Sequence, residues 1–277
     1  MTKIETMLGA YPVLDIEEYH GHKESISRSA LMDFIASPHR YYANHINPKR
    51  PARTSTPAMQ FGQAFHDFIL EHESFNARYA IEPEKVLLKD VGREKYDAFK
   101  ARCNEIEMLN QVVLSNADWG RLLDMNDALL NSKAMELVTG GTFEQSYFWE
   151  DEETGLVVKA RPDILHANMI VDLKTCADAS PRAFQASMVK GGYHVQGAMI
   201  QEAVRRVEGR EIDTVINVAI ETSYPYSIGI YIIDEVALSE GHYQFKKALV
   251  DLKHAIGHNV WEDYGVQTLS LPAWAFN

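Results

Sequence analysis

Three short runs of strand-forming residues lie close together in the middle of the chain, and segments with helical periodicity flank them on both sides. The runs cover residues 142–149, 155–161 and 168–175, where β-branched and aromatic residues are frequent and polar turns separate one run from the next. Short strands cannot bury their own apolar faces, so they must form a sheet that helices cover. This block of strands constrains the fold more than any other feature of the sequence.

The flanking segments predict helices. A hydroxyl N-cap in Ser25-Ile26-Ser27 begins a short helix that ends at Ser37-Pro38, and a second helix is expected from about Pro57 to Glu71. Further helices are expected over residues 92–137, 180–207 and 234–258, with two more strands over residues 214–221 and 227–233. This order predicts an α/β (α+β) fold with a central mixed β-sheet flanked by helices.

Composition excludes several classes of protein. The chain has 277 residues and no apolar run near the roughly 20 residues that span a bilayer, so no membrane partner is expected. Its first six residues lack the apolar stretch of a secretory signal, which predicts a cytoplasmic protein. Two cysteines, Cys103 and Cys176, are too few for a four-cysteine zinc or iron–sulfur site and are expected to be free thiols.

The net charge of −12 argues against a nucleic-acid partner, but the charge is unevenly distributed. Residues 21–54 contain six lysines and arginines, among them Arg53, against two acidic residues, which is a local charge of +4. Residues 179–210 contain five against two, a local charge of +3. Such segregation is typical either of a basic groove in an acidic shell or of ordinary solvated helix faces.

The stretch with the most chemistry is Arg161-Pro162-Asp163, followed after eight residues by Asp172-Leu173-Lys174. Alternate side chains of a strand share a face, so Asp172 and Lys174 project together while Leu173 faces the opposite layer. If residues 155–163 pair with residues 168–175, Asp163 joins them. Carboxylate oxygens suit Mg²⁺ or Mn²⁺, and a nearby lysine can orient the attacking water of phosphodiester hydrolysis. A surface ion pair on a β-hairpin would give the same pattern.

With other short motifs, this stretch resembles the PD-(D/E)XK nucleases of the RecB-like group, in particular the nuclease domain of the phage and prophage exodeoxyribonuclease VIII (RecE) type. The resemblance covers about residues 25–249 and rests on the order and spacing of weak motifs. They are Ser25-Ile26-Ser27 with Leu31 and Ser37-Pro38, Phe61-Gly62-Gln63-Ala64-Phe65-His66, Glu144, Thr154-Gly155 with Arg161-Pro162-Asp163, Asp172-Leu173-Lys174-Thr175, and Tyr193-His194-Val195-Gln196. The resemblance implies a restriction-endonuclease-like core at about residues 57–250, after an N-terminal helical segment at about 25–56. The sequence has no linker poor enough in apolar residues to separate two domains, so one domain spanning 1–277 is expected.

The resemblance also implies a metal site whose ligands come from separate segments: His66, Asp163, Asp172 and the Leu173 carbonyl. Lys174 is implied to position the nucleophilic water. Glu144 is a candidate second carboxylate near the metal, or a solvated acid beside a strand. His66 taken alone would be interpreted as a partly buried helix histidine.

Gln196 matches a family glutamine that is expected to orient the DNA or the active-site lysine. The family tyrosine four residues later is Ile200 in this chain, which leaves its role unfilled or shifted to Tyr193. The candidate DNA contacts are Arg161, Thr175, Arg182, Lys190 and Tyr193. Each of them could instead be structural, and Arg182 and Lys190 could be ordinary solubility charges.

The function implied by the resemblance is a Mg²⁺-dependent exonuclease, with Mn²⁺ able to substitute. It would degrade linear double-stranded DNA from the 5′ end and leave 3′ single-stranded tails for recombination. A ring-shaped homo-oligomer, trimer or tetramer, and a single-strand annealing protein are the implied partners. No iron–sulfur cluster is expected, because position 37 is serine where iron–sulfur members of the superfamily carry cysteine. An endonuclease or a flap-trimming nuclease would share the site, whereas a catalytically silent DNA-binding module would not need a metal site.

Overall fold

The structure is a computed structural model that describes residues 8–12, 14–51 and 54–271. The first six residues, which bear on a secretory signal, lie outside the described residues, as does Arg53 of the first basic segment.

The first part of the chain is mainly helical. Its elements are β1 (Gly9–Tyr11), α1 (Ile16–Gly21), α2 (Arg28–Ala36), α3 (Pro38–Tyr41), a π-helical turn (Tyr42–Ile46), α4 (Pro57–Leu70), α5 (His72–Arg78), β2 (Tyr79–Ile81), α6 (Leu88–Val91), α7 (Arg93–Met108), β3 (Val112–Leu114), α8 (Asn116–Leu130) and a 3₁₀ turn (Lys133–Glu136). Hydroxyl caps begin two helices of the site: the Ser27 side chain accepts the amide of Ala30 at α2, and the Thr56 side chain accepts that of Met59 at α4.

The second part alternates strands and helices. Its elements are β4 (Thr142–Phe143), β5 (Ser146–Glu150), β6 (Val157–Ala160), β7 (Ile164–Leu165), β8 (Met169–Cys176), α9 (Pro181–Gly191), α10 (Tyr193–Glu208), β9 (Thr214–Glu221), β10 (Ile228–Ile232) and α11 (Glu235–His258). Among the described residues, no helix has both the length and the apolar character needed to cross a membrane.

A five-stranded mixed sheet in the order β10-β9-β8-β7-β4 carries the candidate site. β8 and β9 run parallel, whereas the other neighbours in this sheet are antiparallel. Within the described ranges the remaining strands form an antiparallel sheet, β1-β5-β6, and a parallel pair, β2-β3. The predicted fold class, an α/β (α+β) arrangement with a central mixed sheet flanked by helices, is confirmed.

The two faces of β8 pack against different helices. Ile170 is buried in a cluster with side chains of α2, α10 and α11, whereas Val171 and Leu173 are buried with side chains of α4 and α8. Because successive side chains of a strand point to opposite faces, Asp172 and Lys174 lie on the α10 side. β8 therefore presents its polar pair to one helical layer and anchors itself in the other.

Several local predictions are wrong. The strand expected over residues 142–149 is interrupted at Glu144, whose positive φ of 51° ends β4. The run at residues 155–161 pairs with β5, and the neighbour of β8 on that side is the two-residue strand β7. The helix expected over residues 180–207 divides into α9 and α10 because Gly192 adopts the left-handed conformation.

The helix expected over residues 92–137 is also wrong in part, because the strand β3 lies between α7 and α8. The assignment of residues 1–277 to a single domain stays a prediction.

Candidate active site

His66, Glu144 and Asp163 come from three separate elements and meet at one point. His66 lies on α4, Glu144 in the turn after β4, and Asp163 immediately before β7. One potential ligand atom from each lies within 4.8 Å of those of the other two, and His66 Nδ1 is 3.5 Å from Asp163 Oδ2. One imidazole nitrogen and two carboxylates form a donor set that divalent cations accept. These three side chains could therefore hold a metal ion.

Glu144 is held in an unusual backbone conformation. A positive φ is uncommon for a residue with a Cβ and persists only where surrounding contacts enforce it. The Glu144 amide donates to the Asp163 carbonyl at 3.0 Å, and Arg161 Nε donates to the Glu144 carbonyl at 2.8 Å. Arg161 Nε is also 3.5 Å from Glu144 Oε2. These contacts direct the Glu144 carboxylate toward Asp163 and His66.

The two carboxyl groups of this cluster resist ionisation in the metal-free protein. Burial, together with the negative charge of Asp172, raises the pKa of Asp163 to about 6, although His66 and Lys174 oppose the shift. Burial and the charge of Asp163 raise the pKa of Glu144 to about 9, with Arg161 opposing. A bound cation would remove the repulsion between these groups. The electrostatics therefore fit a metal site.

Asp172 and Lys174 form a second polar group next to the first. Lys174 Nζ pairs with Asp172 Oδ2, and Gln196 Nε2 on α10 donates to Asp172 Oδ1 at 2.8 Å. Burial lowers the pKa of Lys174, but the charges of Asp172 and Asp163 outweigh burial and raise it overall. The lysine is therefore a cation held beside two carboxylates.

A backbone contact connects the two groups: the Leu173 amide donates to Asp163 Oδ2 at 2.8 Å. This bond positions the carboxylate that precedes β7 against the middle of β8. The convergence of Asp163 with Asp172 and Lys174 therefore arises through β7 and this bond, rather than through pairing of residues 155–161 with β8.

A cleft of about 740 Å³ opens beside His66 and Lys174. Its walls are the first turns of α4, the start of α8 and the end of β8. Arg121 on α8 pairs with Asp118 and places its guanidinium carbon 3.9 Å from the centroid of the Phe61 ring. The cleft therefore combines a guanidinium fixed by Asp118 and Phe61 with direct access to the polar groups of the site.

Comparison with known proteins places the chain in a family. Residues 27–268 match the family described as a PDDEXK-like domain of unknown function (DUF3799). The chain belongs to this family. The match confirms the resemblance to the PD-(D/E)XK superfamily that the sequence motifs indicate. No curated protein matches the chain.

One solved structure shares the fold of this PDDEXK-like domain. A "Putative exonuclease" from Eubacterium rectale superposes with a TM-score of 0.63 and 18% sequence identity, over 94% of this chain and 96% of the other. A second structure, SSO0001, has a TM-score of 0.30 and 15% identity over 68% of this chain and 84% of the other, a likeness too weak to carry an argument.

The remaining predicted site residues of the PDDEXK-like domain lie in diverse surroundings. Arg161 has a side chain only 7% exposed, and it donates to the carbonyls of Glu144 and Leu14, so its observed contacts hold the Glu144 turn. Arg182 and Lys190 are exposed on α9. Their assignment as DNA contacts stays a prediction.

Other predicted residues are placed by close packing. Thr175 lines the cleft, and its Oγ1 would lie 2.9 Å from a Cβ added to Gly62, so α4 packs closely against β8 there. The Tyr193 ring lies beneath Lys174 Nζ, with 5.1 Å between the nitrogen and the ring centroid. Ile200, at the position of the family tyrosine, is buried in the core.

Three features of the site were not found from the sequence. Arg28, which the sequence presents only as one charge of the first basic segment, contacts Gln196 directly. The available signal in the sequence was its position directly after the N-cap Ser27, in the first turn of the predicted helix. Asp67, next to His66, accepts hydrogen bonds from Arg78 and Tyr79 and so anchors α4. Arg121 had no signal, because its partner Phe61 is distant in sequence.

Proposed function

We propose that this PDDEXK-like domain is a Mg²⁺-dependent DNA exonuclease. The observation that carries the proposal is the convergence of His66, Glu144 and Asp163 next to the Asp172–Lys174 pair, at the edge of an open cleft. Phosphodiester hydrolysis needs these parts together: a site for a hard cation, a positive group near the attacking water, and room for the substrate strand.

Different residues of the site have different roles in the proposed reaction. His66, Glu144 and Asp163 would hold the cation, with Asp172 and the Leu173 carbonyl as the further ligands that the resemblance implies. A bound divalent cation supplies Lewis acidity and a polarised water. Lys174 donates hydrogen bonds toward the attacking water and places positive charge near the phosphate. Asp172 keeps the ammonium of Lys174 in place.

DNA is the proposed substrate because the cleft has the guanidinium of Arg121 in its wall and the catalytic groups at its end. Arg121 lies on α8 and is stacked on Phe61, which fixes its direction. Such an arginine can bind a phosphate or stack on a base. The preference for linear duplex ends, the 5′ to 3′ direction and the 3′ single-stranded products for recombination are supported by the resemblance, as are Mn²⁺ substitution, a ring-shaped oligomer and an annealing partner.

Two other functions are the alternatives. An endonuclease or a flap-trimming nuclease would use the same site and admit DNA differently. A catalytically silent DNA-binding module would share the fold. However, burying carboxyl groups is costly, as the raised pKa values of Glu144 and Asp163 reflect, and a silent module would gain nothing from such a cluster. That cost favours an enzyme.

One assay separates these functions. Linear duplex labelled at the 5′ or the 3′ end, and closed circular duplex, are incubated with the protein in Mg²⁺ or in EDTA. We expect Mg²⁺-dependent loss of the linear duplex, with the 5′ label released first and the circle intact. Cutting of the circle would favour the endonuclease, and no cutting in either Mg²⁺ or Mn²⁺ would favour the silent module. Light scattering of the same protein tests the proposed ring.

A further inference from the structure

We propose that Arg28 is a positioning residue that fixes the orientation of Asp172 by way of Gln196. This inference deepens the proposed nuclease function and rests on it, because Asp172 matters most as part of the catalytic group. Arg28 is the first residue of α2, far in sequence from both of the residues that it would control.

Two hydrogen bonds form a chain into the site, and a third anchors its outer end. Arg28 Nη2 donates to Gln196 Oε1 at 3.0 Å, and Gln196 Nε2 donates to Asp172 Oδ1 at 2.8 Å. Arg28 Nη1 donates to the Gly191 carbonyl at 3.0 Å. A guanidinium can only donate and an ionised carboxylate can only accept, so the amide between them has one orientation that satisfies both. The direction of these hydrogen bonds therefore follows from the chemistry of the groups as well as from their geometry.

These hydrogen bonds give the two carboxylate oxygens of Asp172 different partners. Oδ1 accepts from Gln196, so Oδ2 faces Lys174. Asp172 is only 4% exposed, and a buried carboxylate without such partners would rotate toward whichever donor lay nearest. Groups behind the catalytic residues commonly tune a metal site in this way, by holding its ligands before the metal arrives.

Arg28 is itself anchored at the end of a helix. The Gly191 carbonyl is at the C-terminal end of α9, where backbone carbonyls have no partner within the helix. Gly192 is left-handed and ends α9 at this point. The Arg28 guanidinium carbon is also 6.0 Å from the centroid of the Tyr193 ring. Arg28 thus connects the α9–α10 junction to the site, and its planar fork reaches two acceptors that a lysine could not reach together.

The alternative role for Arg28 is direct binding of a DNA phosphate. Arg28 belongs to the first basic segment and is only partly buried, so charge alone does not decide between the roles. A double-mutant cycle does decide, because a residue that acts through Gln196 loses its effect once Gln196 is gone, whereas a phosphate contact does not.

The experiment compares Arg28→Ala, Gln196→Ala, the double variant and Arg28→Lys, with Arg93→Ala as a matched control on the exposed face of α7. Three quantities are measured: kcat and KM on linear duplex in Mg²⁺, Mn²⁺ affinity by calorimetry, and DNA affinity in Ca²⁺ over a range of salt concentrations. Circular dichroism confirms folding, and Arg28→Lys keeps the test open if Arg28→Ala does not fold.

We expect each single alanine variant to lower kcat and Mn²⁺ affinity by about 10-fold, the lower end of the effects of such supporting residues. The kcat and the Mn²⁺ affinity of the double variant should lie within about twofold of those of the more impaired single variant. KM should not change. Arg28→Lys should be intermediate, and Arg93→Ala should match the unmodified protein.

Two results would overturn the inference. One is additive losses in the double variant. The other is an Arg28→Ala protein whose KM rises and whose salt dependence of DNA binding falls by about one phosphate contact, with kcat unchanged. Failure of the proposed function is distinguishable, because the Mn²⁺ cycle does not depend on cleavage. A protein that binds Mn²⁺ with coupled Arg28 and Gln196 but cuts no DNA would keep the inference and reject the nuclease.

Discussion

Glu144 is the residue at which a strained backbone and a buried charge coincide. Its φ of 51° lies in the left-handed region, and burial with the charge of Asp163 raises its pKa to about 9. A carboxyl whose pKa is higher in the folded than in the unfolded protein binds its proton more tightly when folded. The free energy of unfolding of the metal-free protein should therefore decrease as the pH rises from about 5 toward 9.

Glu144→Gln tests this view of the residue. Because glutamine does not titrate, the variant should be more stable than the unmodified protein at pH 8 without metal, and its stability should change less between pH 6 and pH 8. The same variant should bind Mn²⁺ more weakly, since one ligand is lost. Urea unfolding and calorimetry provide the two measurements, with the exposed Glu105→Gln as control. An unchanged Mn²⁺ affinity would remove Glu144 from the metal site.

At the scale of elements, the contact between α10 and α11 positions the helix that carries Gln196. Gly241 on α11 faces the backbone of α10, and a Cβ added there would lie 2.4 Å from the His194 carbonyl oxygen. Backbone atoms cannot move aside as a flexible side chain can. The two helices therefore depend on a residue without a side chain at this crossing.

Gly241→Ala is expected to lower the free energy of unfolding by about 1–3 kcal/mol, the range of overpacked substitutions. Gly257 is near the end of the same helix and has no atom within 4 Å of an added Cβ. Gly257→Ala should therefore leave stability unchanged or raise it by up to about 1 kcal/mol through helix propensity. Urea unfolding of both variants makes the comparison, and equal effects would show that the crossing is not the cause.

Elements with a long periodic pattern were predictable from the sequence, and short or irregular ones were not. The helix α4 and the strand β8 have enough residues to show their periods, so His66, Asp172 and Lys174 could be assigned to elements correctly. The strand β7 has two residues and shows no period, although it is the element that brings Asp163 to β8. Its role depends on pairing, which a single sequence does not encode locally.

At the scale of the whole molecule, long-range contacts complete the site. Arg28 and Gln196 are 168 positions apart, so no local pattern connects them. The motifs predicted which residues gather at the site because each motif carries its own chemistry. Which of these residues contact one another depends on how α2, α10 and the sheet pack. That packing exists only in the folded chain.

The distribution of charge over the whole molecule predicts how DNA binding depends on metal and salt. The net charge is −12, and part of the acidity is concentrated at the centre of the site in Asp163 and Asp172. We expect the protein to bind duplex DNA more tightly in Ca²⁺ than in EDTA, because the cation neutralises the carboxylates at the centre of the site. Binding should weaken steeply with salt in both conditions. Fluorescence anisotropy measures both effects, and equal affinity in Ca²⁺ and EDTA would contradict the charge argument.

Lys174 and a metal ion held beside it are proposed to cut phosphodiester bonds together. The most direct measurement is the rate of nucleotide release from linear duplex in Mg²⁺ by Lys174→Ala, with Lys247→Ala, an exposed lysine paired with Asp251, as control. The Lys174→Ala rate should be at least about 100-fold lower, the lower limit for loss of a positioned acid–base group. Its circular dichroism and the rate of the control should not change, and EDTA should stop the unmodified protein. A Lys174→Ala protein that degrades DNA at the full rate would show that Lys174 takes no part in cleavage.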